Sequence, residues 1–324
     1  MTPTADRTGS SRALPDARLA GLDRRSSRRI ARLRAVRRNQ LIGWLFVLPA
    51  LAFYVVFVLQ PLALTIEYSL YRWDGVGPAE WVGLRNYATV ISDPKLVETL
   101  LNAFRLVLFF SLIPVGLGLV TASVIHRVAR GRLGAVSRTV LFLPQVIPLV
   151  AAGIIWGRLL SLPGLVNQVL TAVGLGDVTR AWLGDFDTAL VAVGIIGIWV
   201  LLGFCTVLLL TGMTKIDGAL YESARLDGAG WRAEFRSITV PSLRNEIGVC
   251  LTVTIIAALA AFDIVYVSTG GGPGNATAVP GIQIYILAFL ERQVGLASAL
   301  AVVLVILVLL VILPLQRLSR TDAA

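Results

Sequence analysis

Lysine is nearly missing from this chain. Only Lys95 and Lys215 occur among 324 residues, and neither sits in the Gly-x-x-x-x-Gly-Lys-Ser/Thr setting that cradles phosphates. Nucleotide hydrolysis by the chain itself is therefore not expected. Histidine is scarcer still: His126 stands alone, with no nucleophile or ligand set about it. The two cysteines, Cys205 and Cys250, lie inside apolar runs without metal-ligand spacing, which argues against a zinc site or a disulfide framework and leaves two small buried hydrophobes. No metal and no cofactor is expected on this chain, and no catalytic residue is assigned. Charged residues make up 15% and hydrophobic ones 56%, too little polar surface to coat a water-soluble globule of this size. The net charge of +10 would favour nucleic acid in a soluble protein. Here the arginines flank apolar runs instead of interleaving with aromatics, so nucleic acid is not an expected partner.

What is abundant is apolar sequence of bilayer length, roughly 20 residues per crossing. Six windows occur: Leu41 to Ile66, Leu106 to Ile125, Thr139 to Gly157, Thr188 to Thr214, Ile247 to Ser268 and Gln293 to Gln316. They predict an all-α polytopic membrane protein with a six-helix domain over residues 41–318 and lipid as its solvent. Asp263 is the one charge inside a window. Ile282 to Leu290 is too short to cross and follows the breaker run Gly270 to Gly274, which predicts a surface helix or a re-entrant element. Pro114, Pro144 and Pro148 fall within windows, where they bend helices and free carbonyls. Gly153 and Gly157 form a small-xxx-small pair suited to close helix contact.

Residues 1–40 carry 11 Arg and 3 Asp and too few apolar residues to fold alone. They read as a solvated tail, or as a basic surface helix with Leu19, Leu22, Ile30, Leu33 and Val36 on one face. Outside the windows, 22 Lys and Arg fall on the side of this tail and 7 on the other. The positive-inside rule then puts both termini in the cytoplasm.

The loop between the fourth and fifth windows, residues 215–241, is polar but balanced in charge, so a protein partner suits it better than anionic lipid. Asp217 can cap a short helix ending near Leu226, with Glu222 and Arg225 a turn apart and Gly228 free to take the left-handed conformation. A second short helix, Trp231 to Ile238, is expected to stop before Pro241. The result is a helix-turn-helix facing the cytoplasm.

Glu222-Ser223-Ala224, then Gly228, then Ile238 and Val240-Pro241 resemble the EAA signature of permeases in ATP-binding-cassette importers. Ser223 and Val240 stand where that signature has Ala and Leu. The resemblance implies that Glu222, Ser223, Ala224, Asp227, Gly228, Ile238 and Pro241 form the surface that couples to a cytoplasmic ATPase dimer, which would carry ATP and Mg. Trp81 to Tyr87, Phe262 to Tyr266 and Thr269 to Pro273 are similar to the sugar-importer branch. The last run is similar to the larger maltose-importer and first glycerol-phosphate-importer permeases. By that resemblance the chain is a non-catalytic pore subunit in a prokaryotic cytoplasmic membrane. Its implied partners are a second, different permease and an extracytoplasmic solute-binding protein, and its cargo is of carbohydrate type.

A sugar path needs aromatic faces and polar groups, and Asn102, Trp199, Thr252, Thr254, Phe262, Asp263 and Tyr266 could supply them. Two other classes stay open on the residues alone. An ion-gradient-driven secondary carrier would need charged groups deep in the spans, and a membrane-embedded enzyme would need clustered His, Asp or Glu; the windows hold little of either.

Overall fold

In a computed structural model the described residues are Trp44, 46–128 and 132–320. The basic segment 1–40, and with it the choice between tail and surface helix, lies outside them. The chain divides into two compact units between Leu64 and Thr65. Four helices are long and apolar enough to cross a membrane: α1 (Phe46–Tyr68), α3 (Pro94–Val128), α7 (Ala189–Met213) and α13 (Val294–Arg320). If each of two bent pairs forms one span, the number of candidate spans rises to six: α4 (Arg132–Val146) with α5 (Leu149–Leu159), and α9 (Trp231–Ser242) with α10 (Arg244–Leu259). Between α1 and α3 stand a two-residue-per-strand hairpin, Tyr71–Arg72 against Glu80–Trp81, and a short helix α2 (Arg85–Ser92). The remaining pieces are α6 (Leu165–Ala172), α8 (Gly218–Leu226), α11 (Asp263–Ser268) and α12 (Pro280–Leu290).

Each window overlaps one of these helices or bent pairs, but several boundaries differ. The second window lies inside α3, which has 35 residues and extends well beyond the apolar run at its N-terminal end. The third is broken by 95° between Val146 and Leu149, where Pro148 caps α5 and cannot continue α4. The fifth ends at Leu259; Ala260 to Phe262 leave the helix before α11 begins at Asp263. The second helix of the 215–241 loop does not stop before Pro241 but runs through it to Ser242.

A common device accommodates three of the mid-helix prolines. Wide π turns cover Val55–Leu59, Leu108–Leu112 and Phe235–Thr239, each ending two residues before a proline, Pro61, Pro114 and Pro241. A proline ring crowds the carbonyl four residues back. In all three cases that carbonyl lies inside the widened turn, where it can tilt away and bond one residue further on.

The outer surface is apolar: Phe57 is 69% exposed, Val140 62% and Leu310 63%. Lipid tails are as apolar as leucine, so burying such side chains gives little association energy, and close packing must hold the helices together. On α7, Gly194 and Gly197 lie against the rings of Phe109 and Phe110 of α3; Gly203 lies against the Leu141 carbonyl of α4, where an added Cβ would sit 1.8 Å from the oxygen. Leu106, Val193, Ile196 and Val200 fill the core beside these contacts, and a second cluster gathers Ala122, Cys205, Leu209, Met213 and Cys250. Of the expected small pair, Gly153 meets Val267 of α11, whereas Gly157 faces open space. The helix α12 buries Ile282, Gln283 and Leu287. Phe289 and Leu290 at its C-terminal end are exposed.

Gly203→Val is expected to cost about 1–3 kcal/mol by overpacking, seen as a lower unfolding temperature in detergent. Gly157→Val should leave that temperature nearly unchanged. Equal effects from both would contradict the packing just described.

Candidate coupling surface and solute path

The 215–241 loop is held at its start by Lys215, whose Nζ lies 3.1 Å from Glu246 Oε1 on α10. Asp217 caps α8 by accepting from the Ala219 N–H at 3.0 Å, satisfying a donor of the open first turn. Gly228 then takes φ +82°, a conformation any Cβ would strain, and the Ala229 N–H closes the helix end by donating to the Ala224 carbonyl at 2.9 Å. Glu222, Ser223, Asp227, Gly228 and Pro241 are exposed, while Ala224 and Ile238 are half-buried. Leu220 is 50% and Leu226 89% exposed, so α8 offers apolar side chains beside acidic ones to the exterior.

Arg225 does not use its neighbour Glu222 as hydrogen-bond partner. Its Nε donates to Glu234 Oε1 on α9 at 2.7 Å, and that carboxylate raises the guanidinium pKa above its ordinary value, so the cation persists at any ordinary pH. Glu234 has a side chain only 6% exposed, and its other oxygen lies 3.7 Å from Arg127 Nη1 at the end of α3. Trp231 Nε1 donates to Ser123 Oγ at 3.1 Å, and Tyr221 Oη sits 3.0 Å from Thr239 Oγ1. These groups surround a cavity of about 210 Å³ that His126 also lines.

The candidate path residues separate into two groups. Asn102 is buried and its Nδ2 donates to the carbonyls of Asn275, Ala276 and Ala278 at 3.0–3.3 Å. Thr254 is buried with its Oγ1 2.6 Å from Ser111 Oγ, and Thr252 donates to the Gly248 carbonyl. Trp199 is half-buried, edge-on to Trp156 at 5.7 Å. Phe262 and Tyr266, by contrast, are stacked at 5.1 Å and continue into Tyr285 and Phe289, with neighbouring centroids 5.5–6.0 Å apart. Asp263 is exposed and shares with Phe262 a cavity of about 190 Å³ walled by Phe110, Gly197 and Val200. Tyr285 and Phe289 escaped the sequence reading, although they repeat the i, i+4 spacing of Phe262 and Tyr266.

A larger cavity, about 660 Å³, lies at the hairpin, lined by Arg72, Trp73, Asp74, Arg85 and Arg292. There the N–H groups of Val76 and Gly77 hold the Asp74 carboxyl below its ordinary pKa. Among the described residues no cluster of three or more His, Cys, Asp or Glu could hold a metal.

Residues 115–320 match the family described as binding-protein-dependent transport system inner membrane component. The chain belongs to that family. This permease is 36% identical over 270 residues, 83% of its own length and 92% of the relative's, to a probable ABC transporter permease protein, YurN, of Bacillus subtilis. It is 35% identical to the trehalose/maltose transport system permease protein MalF of Thermococcus litoralis, covering 82% and 89% of the two chains. The diacetylchitobiose uptake system permease protein NgcF of Streptomyces coelicolor is 34% identical over 78% of this permease and 75% of that chain. Among solved structures, a bacterial ABC transporter importing the acidic polysaccharide alginate superposes with TM-score 0.77 over 90% of this permease and all of that chain. At 22% identity the likeness is one of fold.

The permease is thus a multi-pass membrane transport component, and α8 is a helix with no buried residue. Removing the α8 cap by Asp217→Ala should cost about 1 kcal/mol locally, raising amide exchange across Gly218–Leu226 by about fivefold. Unchanged exchange would mean that the cap does not hold this helix.

Proposed function

We propose that the permease is one half of the translocation pore of an ATP-driven importer of carbohydrate-type solutes, and that the exposed face of α8 is where a cytoplasmic ATPase dimer docks. The observation that carries this reading is the geometry of the EAA-like loop. It is a capped helix, stopped by a left-handed glycine, with Leu220, Glu222 and Leu226 turned outward. An ATPase closing beneath it would push α8 and shift the cavity between inward and outward access. A second, different permease would complete the pore, and an extracytoplasmic binding protein would deliver the solute. Both termini then lie in the cytoplasm, as the arginine count expects, and this chain performs no chemistry of its own. ATP and Mg belong to the ATPase.

A carbohydrate cargo is supported by the relatives named for trehalose, maltose and diacetylchitobiose. It is supported too by the row Phe262, Tyr266, Tyr285 and Phe289, of which Tyr266 is 45% and Phe289 73% exposed. Ring faces of this kind stack on the C–H faces of a pyranose, while Asp263 can accept from hydroxyls. Trp199 and Thr252 are further contributors to this path.

Glu222→Lys and Gly228→Pro are expected to abolish ATP-dependent uptake in reconstituted vesicles while leaving the amount of inserted permease unchanged. The first reverses a charge on the docking face; the second denies α8 its left-handed end. Normal uptake by both variants would overturn the coupling role of the loop.

A further inference from the structure

The loop is tied to α3 as well as to the spans it joins. Trp231 and Glu234 lie on successive turns of α9, and they reach Ser123 and Arg127, which are four residues apart on one face of α3. Glu234 is the pivot of this arrangement. Its carboxylate is nearly buried and stands between Arg225 of α8 and Arg127 of α3. A buried carboxylate needs such partners, so α8, α9 and the end of α3 are constrained to move together. At the other end of the same helix, Asn102 binds three carbonyls of the segment after the glycine run, Asn275, Ala276 and Ala278, and accepts from Arg105 through its Oδ1 at 2.7 Å. Asn102 and Ser123 are separated along the helix axis by roughly 30 Å, about the thickness of the hydrocarbon core.

Resting on the reading of α8 as the ATPase dock, we infer that Glu234 is a positioning residue that clamps the coupling loop to α3. In this account α3 acts as a strut delivering loop movement to the 270–278 segment on the opposite side of the membrane. The strut is continuous: the π turn at Leu108–Leu112 lets it pass Pro114 without a break. Gly194 and Gly197 of α7 seat Phe109 and Phe110 at its middle and serve as a fulcrum.

The test uses the complete transporter in proteoliposomes, with Asn275→Cys as the reporter. Asn275 is exposed, its contact with Asn102 is through the backbone carbonyl, and the native Cys205 and Cys250 are buried. The rate of labelling by a membrane-impermeant maleimide is compared without nucleotide and with ATP plus orthovanadate. Glu234→Gln should shrink the nucleotide-dependent change in rate by about fivefold per assembled complex. Asn102→Ala should do the same, and the double variant should be no worse than either, because both interrupt one route. A merely structural role for Glu234 would lower the amount of assembled complex but leave the response of each complex intact, and that result would overturn the inference. So would multiplicative losses in the double variant, or a parent complex that hydrolyses ATP without any labelling response. If Glu234→Gln prevents assembly, Arg127→Gln removes the α3 side of the clamp alone and must give the same loss. Absence of any ATPase in the purified complex would instead overturn the reading of α8 as an ATPase dock.

Discussion

Inside a bilayer a carbonyl without a partner has no water to turn to, and an apolar side chain gains almost nothing by leaving lipid for protein. The first condition forces helices; the second leaves association to close approach. Both meet where α7 crosses α3 and α4. Gly194, Gly197 and Gly203 bring the helices near enough for the Phe109 and Phe110 rings and the Leu141 backbone to make dense contact. Each carbon–carbon contact contributes only about 0.1–0.2 kcal/mol, so the interface depends on having many of them, and a single methyl in the wrong place disperses the set. The prolines obey the same limitation: three of them are admitted where the turn before them is widened.

This constraint pushes polar chemistry to the ends of the helices. The coupling loop with its Arg225–Glu234–Arg127 arrangement occupies one end of α3, and Asn102 with its three carbonyls the other. Within the spans, polar groups such as Ser111 and Thr254 satisfy each other. In the proposed path the solute meets the aromatic row from Phe262 to Phe289 and the nearby Asp263 carboxylate, borne on helices too short to cross by themselves. Their shortness is functional in this account, because irregular backbone at membrane depth is tolerated where it lines a cavity.

Much of the architecture was legible from residue order alone. Runs of bilayer length coincide with the long apolar helices, since their cause is the solvent and not any distant partner. The Asp217 cap and the Gly228 stop are local in the same sense, fixed within a few residues. Interactions that cross between elements were harder to read. Glu234 counted only as one charge in a balanced loop, and Arg225 was matched with the nearer Glu222; choosing between them requires knowing that α9 folds back beside α8. Asn102 suggested a solute contact, yet three carbonyls some 170 residues away take up its amide hydrogens. Pro241 was expected to end its helix, because the proline rule concerns an α turn and does not anticipate the π turn that relieves it.

The central claim is that this permease moves solute with energy received through α8 from another subunit. Gentle purification from native membranes, followed by identification of the bound proteins and assay of ATP hydrolysis, tests it most directly. The account requires a second, different permease and an ATPase in the same complex, with hydrolysis stimulated by a solute-loaded binding protein. Recovery of the chain alone, taking up solute on an ion gradient without ATP, would contradict it.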